Sequence, residues 1–206
     1  MKKITTLFFI ALSAILLGCS ESDVPKQGEH YQILAANLTT FRLPAVTEVF
    51  SLNCGHCRKM EDQLAKVEEL TGQDIGKVHV TFNESARIAA MVYYAAEMQF
   101  GKKPDYQMMT ELFAATQLSN DSTSADKKAA IDLAFHNRNF VSPYDFNEAE
   151  QKRLFAAMQI ADDITTTGQI NSVPTFIING KYQVMTSGHR DVESIADTIN
   201  YLLQQP

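Results

Sequence analysis

The hydrophobic positions of this chain form two strand-like blocks separated by a long stretch of helical period. In the first block, "AVTEVFSL" at residues 45–52 is short, apolar and β-branched, interrupted by one acid, Glu48. Such a run predicts a buried strand. Met60, Leu64, Val67 and Leu70 follow at spacings of four, three and three. They mark one face of a helix that starts at the cysteines of "NCGHC" and runs to Gly72. "VHVTF" at 78–82 alternates Val78, Val80 and Phe82 and predicts a second strand.

From about residue 84 to 167 the period changes. "ESARIAAMVYYAAEMQF", "DYQMMTELFAATQL" and "SADKKAAIDLAF" are rich in Ala, Met and Leu and predict helices. Pro143 breaks the run. "NEAEQKRLFAAMQIADDITTTG" then predicts one long helix, opened by Asn147 with Glu150 three residues on and closed by Gly168. The strand period returns in "VPTFIINGKYQVM", where Asn179-Gly180 between two apolar runs signals a hairpin. A type I′ turn needs positive φ at both central positions, which this pair tolerates. Val192, Ile195, Ile199 and Leu202 mark a terminal amphipathic helix. The order strand, helix, strand, helical block, hairpin, helix predicts an α/β sheet interrupted by an all-helical insertion. The expected division is 30–83 and 168–206 for the two parts of the sheet domain and 84–167 for the insertion.

Composition agrees with one domain carrying an insertion. The chain has 206 residues, 45% of them hydrophobic and 20% charged, enough for a core and unlike a disordered chain. The N-terminus is read separately. Lys2 and Lys3 precede an apolar stretch, Ile4 to Leu17, too short for a free-standing membrane span. Residues 1–19 therefore read as an export signal. Its end, Leu16-Leu17-Gly18-Cys19, resembles a bacterial lipobox, in which the cysteine becomes the lipidated first residue. Ser20 next to it resembles the outer-membrane type. "SESDVPKQGE" at 20–29 reads as a tether between anchor and fold.

With Cys19 assigned to the anchor, two of the three cysteines remain for the mature fold. An exported protein meets an oxidising compartment, where thiols tend to pair. Removing Lys2 and Lys3 from the 18 basic residues leaves 16 against 24 acidic ones, a formal charge of −8. That balance, with no basic run, argues against nucleic-acid binding.

Cys54 and Cys57 could form a redox couple, half of a metal site or a structural staple. The strand-to-helix junction places Cys54 at a helix N-terminus, where orphan N–H groups and the helix dipole favour a thiolate. Cys57, one turn further in, is placed to resolve a mixed disulfide. A protonated His56 would stabilise the Cys54 thiolate further. Zinc or copper would need distant ligands, and His30, His79, His136 and His189 show no ligand spacing. Arg58 after Cys57 excludes the C-x-x-C-H pattern of haem attachment. A staple here would close a tiny loop and gain little. No metal or other cofactor is expected.

"GEHYQIL" at 28–34, "EVFSLNCGHC", "VHVTF", "VPTFIINGKYQV" and the final helix together resemble the thioredoxin superfamily, and within it the DsbA family of bacterial thiol:disulfide oxidoreductases. The resemblance covers nearly the whole mature chain and implies a thioredoxin fold with an inserted helical domain. It implies that Cys54 is the nucleophile, Cys57 its resolving partner, and Val173-Pro174 a Val–cis-Pro pair facing them. It also makes Glu48 the buried acid beneath the site. The chain departs from the family in its Gly-His dipeptide, which resembles protein disulfide isomerases instead, and in its lipobox.

The expected activity is dithiol oxidation: a disulfide of Cys54 and Cys57 handed to exported proteins with free cysteines, and renewed by a DsbB-like membrane oxidant. The expected location is the periplasmic side of a Gram-negative bacterium, lipid-anchored through Cys19 or otherwise soluble in the periplasm. A disulfide reductase or isomerase, and a lipoprotein binding module acting as chaperone or metal carrier, are the alternatives.

Overall fold

A computed structural model describes residues 24–119 and 121–206. The expected export signal, with Cys19 and Ser20, lies outside the described residues. Five strands form one sheet: β1 Tyr31–Ile33, β2 Val46–Phe50, β3 Ile75–His79, β4 Thr175–Ile178 and β5 Tyr182–Val184. Their order is β1-β5-β4-β2-β3, with β2 and β3 parallel and the other neighbours antiparallel. All five residues of β2 are buried, as expected of an apolar run with a strand on either side. This is the α/β arrangement expected from the sequence, a thioredoxin fold.

Helices α1 Gly55–Glu61 and α2 Leu64–Thr71 connect β2 to β3. Between β3 and β4 lies the helical insertion: α3 Glu84–Phe100, α4 Tyr106–Thr116, α5 Ser124–His136 and α6 Glu148–Thr167. Helix α7, Val192–Leu203, follows the hairpin. Local chemistry starts these helices. Asn83, Asp105, Thr123, Asn147 and Asp191 each accept a backbone N–H from the first turn of the helix that follows. Asn147 and Glu150 form the reciprocal capping box read from the sequence. At the β4–β5 turn, Asn179 (φ 51°) and Gly180 (φ 65°) both take the left-handed conformation a type I′ turn requires.

Four details differ from the sequence reading. The helix expected from the cysteines to Gly72 is broken at Asp62-Gln63, where Gln63 N–H donates to Met60 O at 2.8 Å. The break serves two cores. Cys57 of α1 joins the cluster shared with the insertion, including Phe50, Tyr93, Leu112 and Phe113. Leu64 and Val67 of α2 join a second cluster with Ile195, Ile199 and Leu202 of α7. The second strand begins at Ile75, not Val78, because the parallel register pairs Val46 with Ile75. It ends before Phe82, which is exposed. Tyr31–Ile33 is an additional edge strand. At the end of α6 the left-handed residue is Gln169 (φ 52°), while Gly168 stays right-handed at φ −73°.

Candidate active site

The end of β2 delivers the chain to Cys54, the extended residue that caps α1 (φ −94°, ψ 115°). Its Sγ accepts the Cys57 backbone N–H at 3.2 Å. Its thiol faces Val173 O at 3.7 Å, across the seam from the segment leading into β4. Cys54 is half-buried and Cys57 fully buried, and both are free thiols in this structure.

The two sulfurs are driven apart electrostatically. The Cys57 thiol, donating to Cys54, lowers the Cys54 pKa to about 6. Burial opposes this, while the backbone N–H groups of Cys57 and His56 and the His56 charge assist. The same hydrogen bond and burial push Cys57 far upward, with the charges of Cys54 and Glu48 adding to the effect. Local N–H donors and the second thiol therefore do most of what the sequence suggested a long helix would do, since α1 has only seven residues.

Beneath the cysteines sits a buried charged trio. Glu48 on β2 has 0% side-chain exposure, Lys77 on β3 3% and Glu61 at the end of α1 8%. Lys77 Nζ lies 2.5 Å from Glu48 Oε2, 2.7 Å from Glu61 Oε2 and 4.5 Å from the Phe50 ring centroid. Burial raises the Glu48 pKa against the pull of Lys77. For Lys77, burial works downward but is outweighed by Glu48 and Glu61, so its pKa rises. Among the described residues, Glu48 Oε1 is a buried oxygen with no hydrogen-bond partner. A carboxyl so placed readily takes up a proton.

The Val173–Pro174 peptide bond is cis. Thr186 Oγ1 donates to Pro174 O at 2.7 Å. Both residues border a groove of about 840 Å³, with His56, Met60, Met185 and His189 among its other walls. The structure thus gathers Cys54, Cys57, His56, Val173 and Pro174 at one end of the sheet, with Glu48 below. Lys77 and Glu61 were missed in the sequence, where each looks like an ordinary surface charge. No local signal marks them, because the register that sets Lys77 beside Glu48 arises only on folding. Of the other histidines, His79 is fully buried and its pKa is lowered by burial to about 3. The His30 and His189 rings meet at a tilt of 48° with their centroids 5.2 Å apart.

The sequence profile of the family described as thioredoxin matches residues 43–200. The chain belongs to the thioredoxin family. Within this thioredoxin family its whole-length likeness is to DsbA proteins. It is 27% identical over 220 residues to the thiol:disulfide interchange protein DsbA of Salmonella typhimurium, covering all of both chains. It is 27% identical over 221 residues to that of Escherichia coli K12, again covering all of both. The disulfide oxidoreductase DsbA from Proteus mirabilis has the same fold, with a TM-score of 0.67 and 23% identity over 89% of this chain and 99% of that one. A second structure of that protein holds a non-covalently bound peptide, PWATCDS, and matches with a TM-score of 0.65 at 23% identity, over 88% of this chain and 100% of that one. The thioredoxin-family chain described here is a DsbA-like thiol:disulfide oxidoreductase.

Proposed function

We propose that this oxidoreductase works as a dithiol oxidase for exported proteins, with Cys54 as the exchanging sulfur. A substrate thiolate attacks Cys54 of the Cys54–Cys57 disulfide. The S–S bond breaks, a mixed disulfide forms at Cys54, and Cys57 leaves with the electron pair. Cys57 needs a proton to be a comfortable leaving group, and Glu48 is the acid beneath it. A second substrate thiolate then attacks the substrate sulfur of the mixed disulfide. Cys54 leaves as a thiolate, the substrate gains a disulfide, and the enzyme holds both electrons as a dithiol. The observation that carries this reading is the asymmetry of the two sulfurs. A good leaving thiolate at Cys54, held at about 6, favours the dithiol form of the enzyme and drives transfer outward.

An extended segment around the substrate cysteine would lie in the groove beside Val173 and Pro174, as in strand addition. His56 borders that groove and would support the thiolate from the exposed side. Reoxidation would fall to a DsbB-like membrane partner that accepts two electrons. Acyl chains on Cys19, with the 20–29 tether, would hold the enzyme to a membrane on the periplasmic side of a Gram-negative bacterium, and Ser20 favours the outer one. Residues 84–167 would then act as a helical domain over the sheet domain.

The test is chemical. Cys57→Ala should attack the disulfide-linked dimer of a cysteine-containing peptide, releasing one peptide thiol and accumulating the Cys54–peptide mixed disulfide, and Cys54→Ala should neither trap that peptide nor oxidise its reduced form. Equal trapping by both variants, or by neither, would refute the assignment. The redox equilibrium with glutathione separates an oxidase from a reductase or isomerase using the same sulfurs.

A further inference from the structure

The backbone leading to Cys54 is held by a residue of the helical insertion. Gln117 caps the C-terminus of α4 and is half-buried. Its Nε2 donates to Leu52 O at 2.8 Å and to Cys54 O at 3.2 Å. A side-chain amide has two hydrogens, and these carbonyls take one each. Thr116 Oγ1 also lies 2.9 Å from Leu52 O, but it is equally 2.9 Å from Leu112 O of its own helix. Its single hydrogen cannot serve both.

The same peptide segment is gripped from the sheet. Leu52 N–H donates to His79 Nε2 at 2.9 Å. His79 Nδ1 is 2.8 Å from Val80 O, so the ring proton sits on Nδ1 and leaves Nε2 free to accept. Leu52 is therefore fixed at its N–H by β3 and at its C=O by α4. Cys54, two residues on, is fixed at its own C=O by the same amide. The Cys54 sulfur reaches its N–H donor at 3.2 Å only while this backbone keeps its orientation.

We propose that Gln117 is a positioning residue of the exchange site, through which the helical insertion holds the backbone that aims the Cys54 sulfur at its N–H donors. The proposal rests on the reading of Cys54 as the exchanging sulfur. Gln117 lies outside the lining of the groove beside Pro174, and its amide bonds go to the backbone before and at Cys54. It acts by keeping the dithiol form's thiolate solvated by the protein.

Gln117→Met keeps the side chain's length and removes both amide hydrogens without adding charge. Gln117→Ala is the second variant should the first fail to fold. Thiolate absorbance against pH is read on each reduced protein, and the glutathione equilibrium is measured at about pH 7.5. The variants should titrate roughly half a pH unit above the parent. Their equilibrium should move about threefold toward the enzyme disulfide, since well above the midpoint a half-unit change in thiolate pKa alters the equilibrium by that factor. A midpoint and equilibrium unchanged from the parent, with or without a loss of melting temperature, overturns the positioning role. If the parent itself titrates like free cysteine and does not exchange with glutathione, the oxidoreductase reading falls, and this proposal with it. If the parent exchanges and the variants match it, Gln117 alone has been misassigned.

Discussion

Replacing Lys77 by Met would leave the buried carboxylate of Glu48 with no cation beside it. Glu48 has 0% side-chain exposure and its other oxygen is unpartnered among the described residues, so it cannot recover by turning to water. Breaking a buried pair in this way typically costs about 3–5 kcal/mol. The loss has a ceiling, because the orphaned group can protonate instead. Its ordinary pKa is 4.5. Holding it neutral at about pH 7.5 costs roughly 1.4 kcal/mol for each of about three pH units, or ~4 kcal/mol. At about pH 5 the same step costs less than ~1 kcal/mol. The sign follows from linkage. An acid whose folded pKa is raised is tolerated below its unfolded value, and it lowers stability as pH climbs toward the folded one. Lys77→Met should therefore lose roughly 3–4 kcal/mol at pH 7.5 and under about 1 kcal/mol at pH 5. Chemical denaturation of the disulfide form, followed by circular dichroism at both pH values, measures this without the Cys54 thiolate contributing. Adding Glu48→Gln should restore the share of the loss at the higher pH that Glu48 carries, giving a favourable coupling energy in the double-mutant cycle, while Glu61, which also loses its cation, retains the rest. An equal loss at both pH values, or a loss below about 1 kcal/mol at pH 7.5, would refute the argument that Lys77 exists to compensate Glu48.

Two further outcomes follow from the geometry. In the reduced protein Cys54 should titrate near 6; because its folded pKa is depressed, its stabilising contribution is complete above the ordinary thiol range and vanishes as pH falls through that value. Denaturation midpoints of reduced wild type minus Cys54→Ala should show this rise, and a flat difference would contradict it. Gly188→Ala should destabilise by about 1–3 kcal/mol in thermal or urea melts, because a Cβ there would lie 2.1 Å from Glu29 O; an unchanged melt would mean that this turn shifts freely.

The site was legible in the sequence where its chemistry is local. An apolar strand ending at two cysteines three apart is a pattern of neighbours, and so are the Asn147–Glu150 box and the Asn179-Gly180 turn. What escaped depends on contacts between distant segments. The break at Asp62-Gln63 is invisible to periodicity, since Met60, Leu64 and Val67 keep helical spacing across it and pack against one cluster. Lys77 and Glu61 are buried only because α1 ends over β3. Three residues of β1 are too few for alternation to register. Gln117 bonds backbone carbonyls more than sixty positions away, and nothing about a glutamine near a helix end reveals its target.

The place of β4 in the sheet also sets the order in which the protein can become functional. β4 lies between β2 and β5, and Val173, which faces the Cys54 sulfur, comes 119 positions after it. During synthesis the thiols emerge early, and the strand that walls their cleft arrives last. Until the segment leading into β4 is in place, the cleft beside Cys54 lacks the wall that Val173 and Pro174 supply. The cleft beside Cys54 is therefore completed last, by the segment that opens the C-terminal hairpin.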